Sequence, residues 1–266
     1  VSNNEHIEDA ELEKIRPYVH EIVLRKNEGY DFACYFTGYD LAKDKGYEEL
    51  VFANDSVYGP FYPLGPVFEK MKVADVWGIT DAYAGKYHLQ SYFWVFKLGL
   101  RMRAFLQREL DNFIFTSVKA DVVGMYEEGI SQRMIKEQFN IGVLCRNDQA
   151  EKFEKESTDP VLKHLKANIL SMAKEKVKPW THIAGIFSGK RRMKNARKIQ
   201  MHANGTGIFS CWYSLVKYMD CPFIKVGMLR RPDMEKYHEN EYNNVIKEKY
   251  PDYDLNLIHN HLKRIS

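Results

Sequence analysis

The sequence predicts an α/β chain: a mostly parallel sheet flanked by helices, followed by a helical C-terminal extension. Three observations lead there. Short apolar runs alternate with helix-spaced segments through the first half. Apolar residues recur at three-and-four spacing over 121–139 and 160–177 in the second half. The 266 residues are 45% hydrophobic and 28% charged, ordinary values for a folded chain that exclude wholesale disorder and collagen-like architecture. A chain of this length buries roughly 70–75% of its unfolded surface, so its core needs no disulfide or metal staple.

The elements follow in order. Residues 8–18 read as a helix with Leu12 and Ile15 on one face, and HEIVLR (20–25) as a short buried strand. A helix over 30–45 ends at Gly46; ELVFA (49–53) is the next strand. Residues 63–72 read as helical, DVWGIT (75–80) as a third strand, and the aromatic HLQSYFWVF (88–96) as β-prone. After the two helical stretches comes a basic run, GKRRMKNARK (189–198), beside the glycine-containing HANGTG (202–207), read together as a loop. A helix over 208–219, a strand FIKVGMLR (223–230) and two further helices complete the chain. No segment reads as a linker. The organisation expected is one domain, with an α/β core over 1–145 and a helical, basic extension over 146–266.

Charge and cysteine usage narrow the function. A net charge of +3 is too weak to argue for nucleic acid. Its distribution is uneven: about 15 basic and 21 acidic residues fall in 1–133, and about 24 and 15 in 134–266. Such a balance suits a site that holds an anion with a cation, and equally a solvated surface with no role. Cys34, Cys145, Cys211 and Cys221 form no C-x-x-C pair, which points to a reduced, cytoplasmic chain. No apolar run approaches the roughly 20 residues of a membrane span. The aromatic share of 14% fits either a stacking cleft or a tyrosine-rich core.

Several segments carry candidate chemistry. In LVFANDSVYGPFYPL (50–64) a strand ends in Asn54-Asp55-Ser56, and Gly59, Pro60 and Pro63 then impose an irregular loop. Ligands of open α/β sheets bind beyond strand carboxyl ends, where Asp55 is placed to hold Mg2+ or Mn2+ on a nucleotide diphosphate. Asn-Asp-Ser is equally a turn cap. In RKNEGYDF (25–32), Asn27 and Gly29 make a turn before Asp31, which is either a ligand group or a helix cap. Glu127 and Glu128 open a helix, where the dipole favours them and where one can serve as a general base. Lys225, Arg230 and Arg231, with Lys190, Arg191 and Arg192, suit a diphosphate, an anionic lipid surface or plain solvent. Asp81, His88 and Gln90 are cleft candidates after a strand.

Taken in order, NEGYDF, ELVFANDSVYGPFYPL, DVWGIT, HLQSYFWVF, YEEGIS and CPFIKVGMLRRP resemble the rhamnan synthesis protein F family over roughly residues 18–232, with NDSVYGP and HLQSYF the most specific blocks. The family comprises glycosyltransferases of bacterial cell-wall and capsular rhamnose polysaccharides. The resemblance implies a GT-A-like, Rossmann-type fold and an inverting transfer, L-rhamnose from a dTDP donor being the expected case. The acceptor is then a glycan or a lipid-linked glycan, reached at the inner membrane face by a peripheral contact. It also implies that Asn27, Gly29, Asp31, Asn54, Asp55 and Ser56 line the donor pocket, that Asp55 holds the metal, and that Glu127, with Glu128 second, is the base. Asp81, His88 and Gln90 fall to the acceptor side, and Lys225, Arg230 and Arg231 to the diphosphate. Two departures stand out. Asn54-Asp55-Ser56 has one carboxylate where such enzymes carry Asp-x-Asp, and VSNN reads as the tail of a second core strand with the first strand absent. These departures motivate the alternative of a non-catalytic glycan-binding or scaffolding domain.

Overall fold

The computed structural model describes residues 1–83, 85–175 and 207–265. The chain forms two compact units. The first comprises Val1–Asn54, Val73–Trp77 and Ser91–Gly142; the second comprises Asp55–Lys72, Gly78–Gln90 and Val143–Ser266.

Unit 1 is built on an antiparallel pair, β1 (Glu49–Ala53) and β5 (Phe93–Lys97), in the register Glu49↔Lys97 to Ala53↔Phe93. Both are short apolar runs of β-prone residues. The helix Tyr30–Ala42 places Phe32, Ala33, Tyr35, Phe36 and Tyr39 on its buried side, the three-and-four spacing of a core-facing helix. The aromatic rings meet there. Tyr35 stacks on Phe52 at 4.7 Å, Phe32 lies edge-on to Trp94 at 5.7 Å, and Phe113 sits 4.6 Å from Tyr126. These aromatic residues therefore form a core. Removing one such ring, as in Phe36→Ala, costs about 3–5 kcal/mol.

Gly29 precedes that helix with φ +82°, and a Cβ there would lie 2.9 Å from Ala33 Cβ and 3.1 Å from Phe113 Cζ. Both the backbone conformation and the packing exclude a side chain.

Unit 2 has its own apolar cluster, which includes Tyr58, Phe61, Trp212, Tyr213, Ile224, Met228 and Ile246. β2 (Val57–Tyr58) pairs antiparallel with β7 (Ile224–Lys225). Gly59 is demanded by this arrangement: its φ is +126°, and a Cβ would fall 2.3 Å from the Pro222 carbonyl oxygen. That carbonyl accepts a hydrogen bond from Phe61 N–H at 3.0 Å.

Among the described residues the larger sheet has the order β1-β5-β3-β4, where β3 is Val76–Ala82 and β4 is His88–Leu89; β6 (Ile141–Cys145) lies beside β3. The sheet corrects the expected parallel architecture: β1 with β5 and β3 with β4 are antiparallel. The reason is loop length. Only residues 83–87, including Gly85 at φ +85°, join β3 to β4. A parallel return needs a crossover of a dozen or more residues, whereas a short loop makes a hairpin. The mixed α/β class holds, with a mixed sheet in place of a mostly parallel one.

Other elements shift in detail. The expected strand HEIVLR contributes one isolated parallel bridge, Ser2 with Leu24, and the expected core strand at VSNN is no more than this bridge. HLQSYFWVF divides into β4 and β5. FIKVGMLR is a strand for only two residues before the helix Val226–Arg230. ELVFA is a strand over the expected residues, and Pro160–Glu175 is helical as its spacing predicts. The basic run 189–198, with Lys190, Arg191 and Arg192, and HANGTG up to residue 206 lie outside the described residues.

Candidate functional site

The polar residues of unit 1 that fold toward one another start from the helix Tyr30–Ala42. Asp31 stands in its first turn and Tyr35 one turn later, so the two share a face. Asp31 makes no cap: the helix begins at Gly29 without a side-chain capping bond. Instead Asp31 Oδ2 accepts a hydrogen bond from Asn54 Nδ2 at 2.9 Å. Asn54 is fixed at the end of β1 by its own N–H, which donates to the Tyr92 carbonyl at 3.2 Å.

Ser91 supplies the second half of the cluster. Its carbonyl accepts from Tyr35 OH at 2.8 Å. Its N–H and its Oγ–H both donate to Glu127 Oε1, at 2.8 and 2.9 Å. Among the described residues Glu127 Oε2 carries no hydrogen bond, and Glu128 has no hydrogen-bond partner. Burial, and after it the carboxylates of Asp31 and Glu127, push the Tyr35 hydroxyl far above its usual range. Tyr35 therefore stays neutral and serves as a donor. The structure thus gathers Asp31, Asn54 and Glu127, three of the residues singled out in the sequence, around Tyr35 and Ser91.

Glu127 reaches this position on a π-helical turn, Val123–Glu128, set between the helices Lys119–Val122 and Gly129–Lys136. Such bulges are rare and concentrate at functional sites. Two anchors hold it. Tyr126 OH accepts from Ile114 N–H and donates to the Ile114 carbonyl, both at 2.8 Å. Arg133 forms a bidentate pair with Glu109, at 2.8 and 2.6 Å, and also donates to the Met125 carbonyl at 3.2 Å. A side chain at Gly129 would come within 2.9 Å of Arg133 Nη1. A periodicity reading of 121–139 as one helix misses the turn; it also misses Ser91 and Tyr35, although Ser91 lies inside the HLQSYF block. Asn27 is exposed, and the close approach at Gly29 is made by Ala33 and Phe113.

In unit 2, Asp55 is exposed and makes no hydrogen bond among the described residues, so it caps no turn. Ser56 Oγ accepts from Lys225 Nζ at 2.8 Å. One free carboxylate beside a hydroxyl already held by an ammonium is a poor donor set for Mg2+ or Mn2+. Among the described residues no three His, Cys, Asp or Glu side chains gather as metal ligands. Arg230 and Arg231 are exposed. Gln90 is tied into the β3–β4 hairpin, where its Oε1 accepts from Thr80 Oγ1 at 2.7 Å. His88 is buried with Nδ1 2.7 Å from the Lys86 carbonyl. Asp81 is 1% exposed; its Oδ1 accepts from Asn147 N–H at 2.7 Å, while among the described residues its Oδ2 and Asn147 Oδ1 find no partner. Burial raises the Asp81 carboxyl above the usual carboxylate range.

The four cysteines are free, and among the described residues no helix is long and apolar enough to cross a membrane.

The family model described as Rhamnan synthesis protein F matches residues 1–179, two thirds of the chain and all of unit 1. Two curated relatives are similar over a shorter stretch: the virulence protein VirA of Vibrio anguillarum (strain ATCC 68554 / 775) and the virulence protein VirA of Vibrio anguillarum. Each is 36% identical over 80 residues, which is 29% of this chain and 25% of the relative. The matched stretch thus spans about a quarter of the length of these relatives. No solved structure matches the chain.

Proposed function

The chain belongs to the rhamnan synthesis protein F family, and from that premise we propose that it is a glycosyltransferase of polysaccharide synthesis. Its donor is a nucleotide-sugar, with dTDP-linked L-rhamnose the first candidate. Its acceptor is a hydroxyl of a growing bacterial cell-wall or capsular glycan, free or lipid-linked.

The observation that carries this reading is Glu127. It is a carboxylate on a π-helical turn, gripped through Oε1 by two donors of Ser91, with Oε2 left to work. In the proposed reaction an acceptor O–H gives its proton to Glu127 Oε2. The oxygen forms a bond to the anomeric carbon as the bond from that carbon to the diphosphate breaks, with inversion. The nucleoside diphosphate leaves with the electron pair. A hydrogen bond from Ser91 to one carboxylate oxygen fixes the direction of the other, which is what a positioned base requires. Asp31 and Asn54 offer an acceptor and an amide to the hydroxyls of the donor sugar. Within unit 2, Lys225, held at Ser56, offers positive charge to an anion together with Arg230 and Arg231. No step passes through a metal ion.

The test is transfer and donor hydrolysis with dTDP-rhamnose, followed by release of dTDP, in the wild type and Glu127→Gln. Turnover that disappears in the variant supports the reading. Calorimetry with nucleotide-sugars separates the alternative: glycan binding with no nucleotide affinity marks a non-catalytic module.

A further inference from the structure

Unit 2 contains an open cleft of about 710 Å3, which the proposed reaction does not use. That size lies within the range of pockets that take small organic ligands. Phe153 and Tyr218 form one wall, their rings 4.6 Å apart and tilted by 41°. Tyr218 is 42% exposed, a large ring left facing solvent. Around it stand Glu156, Ser157, Thr158, Asp159 and Lys217.

The groups behind the ring are held firmly. Asp159 Oδ1 accepts the Val161 N–H at 2.8 Å at the start of the helix Pro160–Glu175. Its Oδ2 accepts Tyr213 OH at 3.0 Å and also Tyr218 OH. Lys217 Nζ donates to Tyr213 OH at 2.9 Å and lies 5.7 Å from the Tyr218 ring centroid. Burial would raise the Asp159 carboxyl, but the tyrosine hydroxyls and backbone N–H groups outweigh it and hold the group below its usual range. Asp159 is therefore ionised, and it fixes the plane of the Tyr218 ring.

The chemistry of this wall selects its ligand. Two carboxylates, Glu156 and Asp159, face one ammonium, Lys217, so a phosphate or another polyanion is repelled. A sugar ring suits it: an apolar C–H face lies on an aromatic ring, and the hydroxyls reach carboxylate and hydroxyl oxygens. We propose that the Phe153–Tyr218 cleft binds a neutral glycan segment, the acceptor polysaccharide. The identification of this glycan as the acceptor rests on the function proposed above; the glycan-binding surface itself does not.

The test uses the full chain titrated with rhamnose oligosaccharides by calorimetry. Tyr218→Ala weakens binding at least about tenfold, the loss of one stacking partner. Tyr218→Phe keeps the ring and stays within about threefold of the wild type. Glu127→Gln binds the oligosaccharides like the wild type. Equal melting temperatures for Tyr218→Ala and the wild type exclude unfolding as the cause of a loss. Binding that depends on Tyr218 upholds the cleft even where no transfer is measured, in which case only the enzymatic reading fails. The inference is overturned if the wild type binds no oligosaccharide, if Tyr218→Ala binds as tightly as the wild type, or if inorganic phosphate competes.

Discussion

Replacing Glu127 with glutamine alters charge while sparing shape. The amide oxygen takes the place of Oε1, which in the wild type accepts from Ser91 N–H and Oγ–H at 2.8 and 2.9 Å, and still accepts both. Hydrogen bonds to a charged acceptor contribute about 1.5–3 kcal/mol and neutral ones about 0.5–1.5 kcal/mol, so the two bonds together lose about 2 kcal/mol. Relief from partly burying a charge offsets some of that loss. In a chain of this size 2 kcal/mol is a fall of about 4–8 °C in melting temperature, so the variant remains folded. The chemical step responds far more strongly, because the glutamine cannot take the acceptor proton. Removal of a general base costs about 10²–10⁴-fold. The assay is steady-state release of dTDP from dTDP-rhamnose in the presence of acceptor, with kcat and KM separated. The expected result is a kcat loss in that range with the donor KM within about threefold. Glu128→Gln, which alters a carboxylate without a hydrogen-bond partner, leaves kcat within about threefold. A Glu127→Gln enzyme with wild-type kcat would refute the assignment of the base.

Three further outcomes follow. Asp81→Asn keeps an acceptor for the Asn147 N–H and removes a buried charge whose Oδ2 is unpaired. Because burial raises the Asp81 carboxyl in the folded state, wild-type stability falls as pH rises through the interval between the ordinary Asp value and the raised one; the variant gains about 1–2 kcal/mol at neutral pH and nothing in acid, read as melting temperature against pH. Gly29→Ala forces a Cβ to 2.9 Å from Ala33 Cβ at φ +82° and lowers stability by about 2 kcal/mol or more in denaturant titration; an unchanged midpoint contradicts the packing described here. Lys225→Met weakens dTDP binding by about tenfold in calorimetry, whereas chelation of divalent metal alters it by less than about twofold; the reverse order would return the diphosphate to a metal at Asp55.

Much of unit 1 was legible because local pattern and burial agree there. ELVFA is a strand with the expected ends, and the helix from Tyr30 carries its aromatic residues at core spacing. Strand direction was harder to read. It depends on what each strand pairs with, yet the five-residue loop between β3 and β4 already demanded a hairpin. FIKVGMLR misleads because its β-formers Phe223, Ile224 and Val226 stand at the front, while Met228, Leu229 and Arg230 favour the helix that follows the pairing with β2. The candidate site divides the same way. Glu127, Asp31 and Asn54 stand out as polar groups at element ends. Ser91 and Tyr35 become visible only when the fold brings a strand-edge serine to a carboxylate 36 residues later and a tyrosine to that serine's carbonyl. The π-helical turn has no sequence pattern of its own, and Gly124 and Gly129 are its nearest markers.

A crystal structure of the chain with dTDP-rhamnose tests the central claim most directly. The expected result is the sugar against Glu127, with Oε2 facing the side from which an acceptor attacks and with Asp31 and Asn54 on the sugar hydroxyls. A donor bound elsewhere, with Glu127 and Asp31 both clear of it, would contradict it.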